Sequence, residues 1–498
     1  MRIAFVNPAM VFDPRDPFTT GVVYLPIGLA YGASAARAAG HDVDVIDVFG
    51  LAPRDVSRLG RLGGLVRVGI TDAALVESLE HCGAGLVVFY ANQLINHDAL
   101  VGSIRSARAA LPGVPIVVAE NSQAVTAYQL TKVAAEFFDA GADALIGGEM
   151  ELRLLDVADR LEAGAALDGI DGVSTPGRLV PASASIEDLD LLPVPAWDLL
   201  PLQSYWSLKY AHGPMTSDRY LPLLTSRGCP FPCRFCVVPA TNNRRWRARG
   251  ARDVVDEIAL FADVLGVAEY HVEDLNPTIN DARIRDIASL IIDRGLRVSW
   301  KIVAGTKLES MKTLDTVRLM AQSGCSYVSI SPESGSADLL KRIGKPFDVD
   351  YAREFVAYCA KVGIRTQACF VLGFPEETEQ DRRLSRRLVR SLAWAGVSEI
   401  AVFVIAPVPG SAIYDDFAGQ APSLSSLSFS PAWRQDYRAL SRMRLRMYAT
   451  FLAVKTVRHP LRVARQAGNF ARRRFETKME MVPFRAMAYR RMARSLPK

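Results

Sequence analysis

The sequence predicts an α/β protein: an N-terminal doubly wound parallel sheet, a partial (β/α)6 barrel, and a C-terminal helical extension. Three observations predict it. Short apolar runs alternate with helix-length amphipathic segments through residues 1–163, and the alternation resumes at Leu221 after a proline-bearing stretch. From about Pro422 onward the chain is helical in pattern and rich in arginine. A length of 498 residues accommodates two to four domains.

In the first series, strands are expected at Ile3–Asn7, Val43–Val48, Leu86–Tyr90, Ile116–Ala119 and Ala144–Gly147. Helices are expected at Ile27–Ala39 and Ala99–Leu111, stopping near Gly40 and Gly113. Such repeats build a parallel sheet covered on both faces, with ligands at the strands' carboxyl ends. The loops there read "NPAM", "YANQLINH", "AENSQ" and "GGEME"; none carries GxGxxG or GxxxxGKS/T. Residues 164–206, acidic and proline-bearing, read as a linker. Residues 207–420 hold the second series, with strands at Leu221–Ser226, Glu269–Glu273, Val298–Val303, Tyr327–Ser331, Thr366–Leu372 and Glu399–Ile405. Its clearest helix, Ala251–Leu265, places Val254, Val255, Ile258, Phe261 and Leu265 on one face before Gly266. Six units fall short of a closed eight-fold barrel, so an open one is expected, with its chemistry at the strands' C-terminal ends. Residues 421–498 form the basic helical region.

Composition narrows the class. Half the residues are hydrophobic and 22% are charged, the net charge is +6, and no apolar run reaches the roughly 18 residues that span a membrane. The opening "MRIAFVNPAM" enters a strand pattern without a signal-like segment, so a cytoplasmic enzyme with reduced thiols is expected. Three of the seven cysteines crowd one loop: Cys229, Cys233 and Cys236 in "TSRGCPFPCRFC". Three thiolates on one loop suit a cubane iron–sulfur cluster whose fourth iron takes a non-protein ligand. Zinc is the competing reading, but it wants a fourth ligand, and the nearest histidines are His212 and His271. Cys82, Cys325, Cys359 and Cys369 stand singly in apolar runs, as buried small hydrophobes do.

The cysteine loop resembles that of the radical S-adenosylmethionine (SAM) superfamily, and further segments follow in order. "YHVEDLNPTIN", "GCSYVSISPESGSADLLKRIGKP", "RTQACFVLGFPEET" and "VFVIAPVPGSAIYDDF" resemble the family's second-, fourth-, fifth- and sixth-strand motifs. The resemblance implies a [4Fe-4S] cluster on the three cysteines, with SAM chelating the open iron. It assigns cofactor contacts in the barrel to Phe235, Glu273, Asp274, Lys307, Ser331, Glu333, Gln367 and Gly373. Lys307 stands where many relatives have arginine, which keeps the cation and loses the bidentate fork. A carboxylate at Glu273, Asp274 or Glu333 is also placed to cap a following helix, and Gly373 and Gly410 suit simple turns. The N-terminal domain resembles the Rossmann-like, cobalamin-binding type, through "LPIGLAYGASAARAAGHDVDVIDV" and "GADALIGGEMELRLLDVADRL". It implies corrinoid contacts at Asn92, Glu120, Gly147 and Gly148. The sequence lacks DxHxxG, and "VVAENSQAV" replaces the usual double glycine.

The implied function is a cobalamin-dependent radical SAM C-methyltransferase acting on a small, natural-product-like molecule, with flavodoxin or ferredoxin as reductant. Rearrangement or cyclisation without methyl transfer is the alternative. A methylthiotransferase would need a second cysteine triad, and only Cys82 is available in the N-terminal domain. The C-terminal arginines alternate with Leu, Met, Phe and Tyr, which suits a helix packed on the barrel rather than a nucleic-acid binder. "MYATFLAVKTVRHPLRVARQ" also offers a weak membrane-surface contact.

Overall fold

Alternation along the first strand sets up the N-terminal layers. The computed structural model describes residues 1–60, 64–311, 313–417, 419–427 and 430–496. In β1 (Arg2–Asn7), Ile3 and Phe5 join one apolar cluster, while Ala4 and Val6 join another on the opposite face. The division continues through β2 (Asp42–Asp47), β3 (Leu86–Ala91), β4 (Ile116–Glu120) and β5 (Ala144–Ile146). These five strands are parallel, in the order β2-β1-β3-β4-β5. The stretch expected as linker contributes an antiparallel edge strand, β6 (Val173–Ser174), and a helix at Leu202–Leu208. A small antiparallel sheet of Met10–Phe12, Val56–Arg58 and Val66–Val68 was not foreseen, since three-residue strands carry too few positions for alternation to show.

The second sheet comprises β7 (Tyr220–Leu223), β8 (Glu269–Val272), β9 (Ser299–Thr306), β10 (Cys325–Glu333), β11 (Arg365–Leu372) and β12 (Glu399–Val404), parallel and paired in chain order. Among the described residues β12 does not pair with β7, so the barrel is open on one side. Outward residues such as Val328, Ala368, Phe370, Ile400 and Val402 pack under the helices. The helix Ala251–Val264 buries Val254, Val255, Ile258 and Phe261, the expected face. The first strand was expected to run to Ser226. Instead the chain leaves the sheet after Leu223, and Ser226–Arg227 pairs antiparallel with Arg247–Ala248.

Three C-terminal helices follow, at Tyr437–Arg458, Pro460–Arg472 and Lys478–Arg494. The last covers the barrel's open side. The backbone N–H groups of Lys478 and Met479 donate to the Glu399 carboxylate at the start of β12 (3.0 and 2.5 Å), and Phe475 N–H donates to the Met215 carbonyl ahead of β7 (2.7 Å). Tyr489 stacks on Phe12 at 4.4 Å and donates to the Gly21 carbonyl at 2.6 Å, so the same helix reaches the N-terminal domain. No described helix is long and apolar enough to cross a membrane.

Candidate functional site

The three clustered cysteines lie on one loop between the Ser226–Arg227 ribbon and the short helix Val238–Thr241, as partly exposed free thiols. Asp274, fully buried, fastens the loop's near end. Its carboxylate accepts from the Thr225 N–H (2.7 Å) and from the hydroxyls of Thr225 (2.6 Å) and Ser226 (2.5 Å). This pull is the physical reason the first barrel strand stops early. On the far side, Arg234 N–H donates to the Ile343 carbonyl (3.1 Å). Burial raises all three thiols, Cys236 up to about 12, while the Lys345 ammonium works against that rise at each. Three thiols that need positive compensation to ionise, with a lysine supplied beside them, suit a cluster holding one open iron. Among the described residues, no three His, Cys, Asp or Glu side chains gather to hold a single metal ion.

The expected barrel contacts divide into two groups. Around the loop stand Glu333, Phe235 and Lys307, together with Lys345, which the sequence did not single out. Lys345 Nζ donates to Glu333 Oε1 at 2.5 Å and lies 5.9 Å from the Phe235 ring, which meets Phe374 edge-on at 5.4 Å. Lys307 sits 4.1 Å over the ring of Phe231, inside the cysteine loop. Ser331 is buried against Gly305, where a Cβ would lie 1.8 Å from its hydroxyl. Glu333 is not a helix cap, because Ser336 caps the helix Ala337–Arg342. The second group is engaged by the protein itself. Asp274 serves the loop. Gln367 is buried between the Ser329 hydroxyl (3.0 Å) and Glu399 (3.3 Å). Gly373, at φ +85°, donates to Glu377 (2.7 Å), and its carbonyl accepts from Arg434 (2.9 Å). Glu273 accepts from His212 Nδ1 at 2.6 Å.

In the N-terminal domain, asparagines link the strands' carboxyl ends. Asn92 donates to Asn7 (2.9 Å) and accepts from Asn96 (3.0 Å), and Asn121 donates to the Asn92 carbonyl (2.9 Å). Glu120, expected at a corrinoid, instead accepts from the backbone N–H groups of Leu130 (3.0 Å) and Gly148 (3.1 Å) and braces two loops. Gly147 N–H is spent on the Gly172 carbonyl, and linker residue Ala182 covers Gly148, where a Cβ would meet it at 2.9 Å. Asn92, Asn121, Gln123 and the half-exposed Val125 keep an accessible rim. Amide side chains beside an apolar residue could edge a flat macrocycle that carries polar groups at its rim. The one histidine near these loops, His97, is fully buried between Tyr128 (3.0 Å) and Glu136 (3.2 Å).

Sequence reasoning missed the seam joining this rim to the cysteine loop. Gln123 Oε1 accepts from the Gly228 N–H (3.2 Å), adjacent to Cys229, and Gln123 Nε2 donates to Asn242 (3.0 Å). Arg227 pairs with Glu151 at 2.7 Å and with Glu149 at 3.5 Å, and lies 5.0 Å over the Tyr31 ring. Arg247 holds Glu149 through two contacts, 2.9 and 3.0 Å. Burial alone would raise Glu149, but Arg227 and Arg247 overcome it and hold the carboxyl below its usual range. The "GGEME" and "TSRG" segments were each visible in the sequence; their pairing is tertiary.

Residues 223–389 match the radical SAM superfamily. Among curated proteins, an uncharacterized methyltransferase of Pyrococcus horikoshii is 30% identical over 278 residues, covering 55% of this chain and 57% of the relative. The cytidylyl-2-hydroxyethylphosphonate methyltransferase of Streptomyces wedmorensis is 26% identical over 450 residues, covering 82% and 80%. Among solved structures, the radical SAM methyltransferase TsrM of Kitasatospora setae, with cobalamin and a [4Fe-4S] cluster bound, superposes with a TM-score of 0.63 at 18% identity, covering 84% of this chain and 75% of that one. The cobalamin-dependent SAM radical enzyme OxsB gives 0.61 at 17% identity, covering 86% and 56%. These likenesses show a shared fold.

Proposed function

We propose that the chain, whose residues 223–389 match the radical SAM superfamily, is a cobalamin-dependent radical SAM enzyme that methylates a carbon of a small molecule. The observation that carries the reading is the Gln123–Gly228 hydrogen bond, which sets the amide rim of the N-terminal domain against the loop of Cys229, Cys233 and Cys236. When bound, the cluster and SAM supply a carbon-centred radical and the corrinoid supplies the methyl group. The chain's own residues position and enclose. Cys229, Cys233 and Cys236 hold the cluster, and Phe235, Ser331, Glu333 and Lys345 border the SAM side. Lys307, over Phe231, adds a second cation at the loop. Asn92, Asn121 and Gln123 face the corrinoid. Asp274 fastens the cysteine loop and Glu120 braces the loops of Leu130 and Gly148, while Gln367, Gly373 and Gly147 are engaged by other parts of the chain. The C-terminal helices close the barrel's open side and keep water from a reactive interior. A flavodoxin- or ferredoxin-type protein supplies electrons.

The test is anaerobic reconstitution with iron, sulfide and hydroxocobalamin, followed by desalting and dithionite reduction with SAM. The wild type retains both cofactors and releases deoxyadenosine. A triple Cys→Ala variant keeps corrinoid and loses iron and cleavage; retention of both would sink the cluster assignment. With its substrate, the enzyme yields deoxyadenosine and S-adenosylhomocysteine together. Deoxyadenosine without S-adenosylhomocysteine would identify rearrangement or cyclisation instead.

A further inference from the structure

The inward residues of the barrel form a closed floor with a space above it. On the floor, Lys301 pairs with Glu269 at 2.8 Å, and Glu399 accepts from Tyr327 (2.6 Å), Gln367 (3.3 Å) and the start of the last helix. Above it, inward positions Gly305, Cys369, Ala401 and Phe403 keep accessible surface, whereas their outward neighbours Ala368, Phe370, Val402 and Val404 are buried. An inward residue that is not fully buried lines a chamber.

Three parts of the chain wall that chamber with polar groups. His212 Nδ1 meets Glu273 Oε2 at 2.6 Å, and His212 Nε2 lies 3.3 Å from Lys478 Nζ. Tyr24 of the N-terminal domain packs its ring on His212 at 4.6 Å. Burial lowers His212 from its ordinary value, so its Nδ1–H donates to Glu273 and its Nε2 accepts from Lys478. Lys478 Nζ also donates to the Val303 carbonyl (3.0 Å), which accounts for two of its three hydrogens; among the described residues no third acceptor lies in range. The inward Cys369 lies near enough to feel the charges of both Lys478 and Glu333, so it stands between the His212 wall and the cysteine loop along the chamber. Burial lowers Lys478 from its ordinary value despite the nearby Glu273 and Glu399, the latter already satisfied by four donors. An added anion would therefore favour its ammonium form, and the buried Arg485 is a second cation close by.

We propose that this chamber is the substrate site and that Lys478, delivered by the C-terminal helix, binds an anionic oxygen group of the substrate. A carboxylate or a phosphorus oxyanion has the chemistry to take the ammonium's third hydrogen, with the rest of the molecule reaching past Cys369 toward the cysteine loop. The inference rests on the enzymatic reading above, and its test is separable from it. The reconstituted holoenzyme is titrated calorimetrically with methylphosphonate and, separately, with acetate. At least one binds saturably; Lys478→Met weakens it by about tenfold or more, while Lys478→Arg stays within about threefold. Glu273→Gln tightens it, because the competing carboxylate charge is gone. Absence of saturable binding by both probes, or a Lys478→Met affinity equal to the wild type's, overturns the proposal. Should Lys478→Met fail to fold, Glu273→Gln decides, and unchanged or weaker binding there overturns it. Wild-type SAM cleavage is read in parallel, and its loss would count against the enzymatic reading alone.

Discussion

Glu333 holds a left-handed backbone, φ +59°, where side chains other than glycine's are strained. The register between β10 and β11 shifts between Ile330 and Glu333, and this kink turns the carboxylate to Lys345. Glu333→Ala and Glu333→Gly both lose the ion pair, so comparing them isolates the backbone. The glycine variant is expected to be more stable by about 1 kcal/mol in urea unfolding. Glu120 is a second unusual carboxylate. Burial pushes it up to about 7 from an ordinary 4.5, despite the opposing N–H groups of Gly148 and Leu130. Between those values the folded chain keeps a proton that the unfolded chain has lost, so stability falls as pH rises through that window. The drop is about 3 kcal/mol if the full shift is expressed. Urea unfolding at pH 5 and pH 8 should show it in the wild type and not in Glu120→Gln.

Among the elements, the cysteine loop depends on a strand it does not belong to. Thr225 and Ser226 are held by Asp274 just beyond β8, and removing that carboxylate leaves buried donors without an acceptor. Asp274→Ala is expected to cost about 3 kcal/mol. It should also lower iron retained per chain after desalting, measured beside a wild type reconstituted identically. An unchanged iron content would show that the cluster itself, not Asp274, organises the loop.

Two of the places that join the whole molecule each have their own signature. At the seam, Arg227 neutralises Glu149 and Glu151, all within about a twentieth of full exposure (4%, 3% and 5%). Arg227→Ala strands the buried Glu151, while Arg247 still holds Glu149, and should cost about 3 kcal/mol. It should also broaden the calorimetric transition, as the N-terminal sheet and the barrel lose one of the contacts that couple them. At the open side of the barrel, the segment from Phe475 onward satisfies Glu399 and covers Phe12 and Tyr210. A chain ended at Arg474 should therefore be rapidly cleaved by dilute protease and should lose SAM turnover, whereas the full chain resists.

The sequence by itself determined the order of elements and the cysteine loop, because both are written locally. A short apolar run placed the first strand of the N-terminal sheet to within one residue, and three cysteines within eight positions need no partner from elsewhere to be conspicuous. It also named Glu333 and Phe235, through the motif around each. Only the tertiary structure decided what the remaining polar residues do. Asp274, Gln367 and Glu120 carry groups that suit a cofactor, but burial obliges each to satisfy donors contributed by distant segments. Lys478 looked like one more cation of a basic helix, and packing turned it inward to meet His212, 266 residues away along the chain. A charge's partner is set by which segments share a low-dielectric interior, and that is a property of the packed chain rather than of any stretch of it.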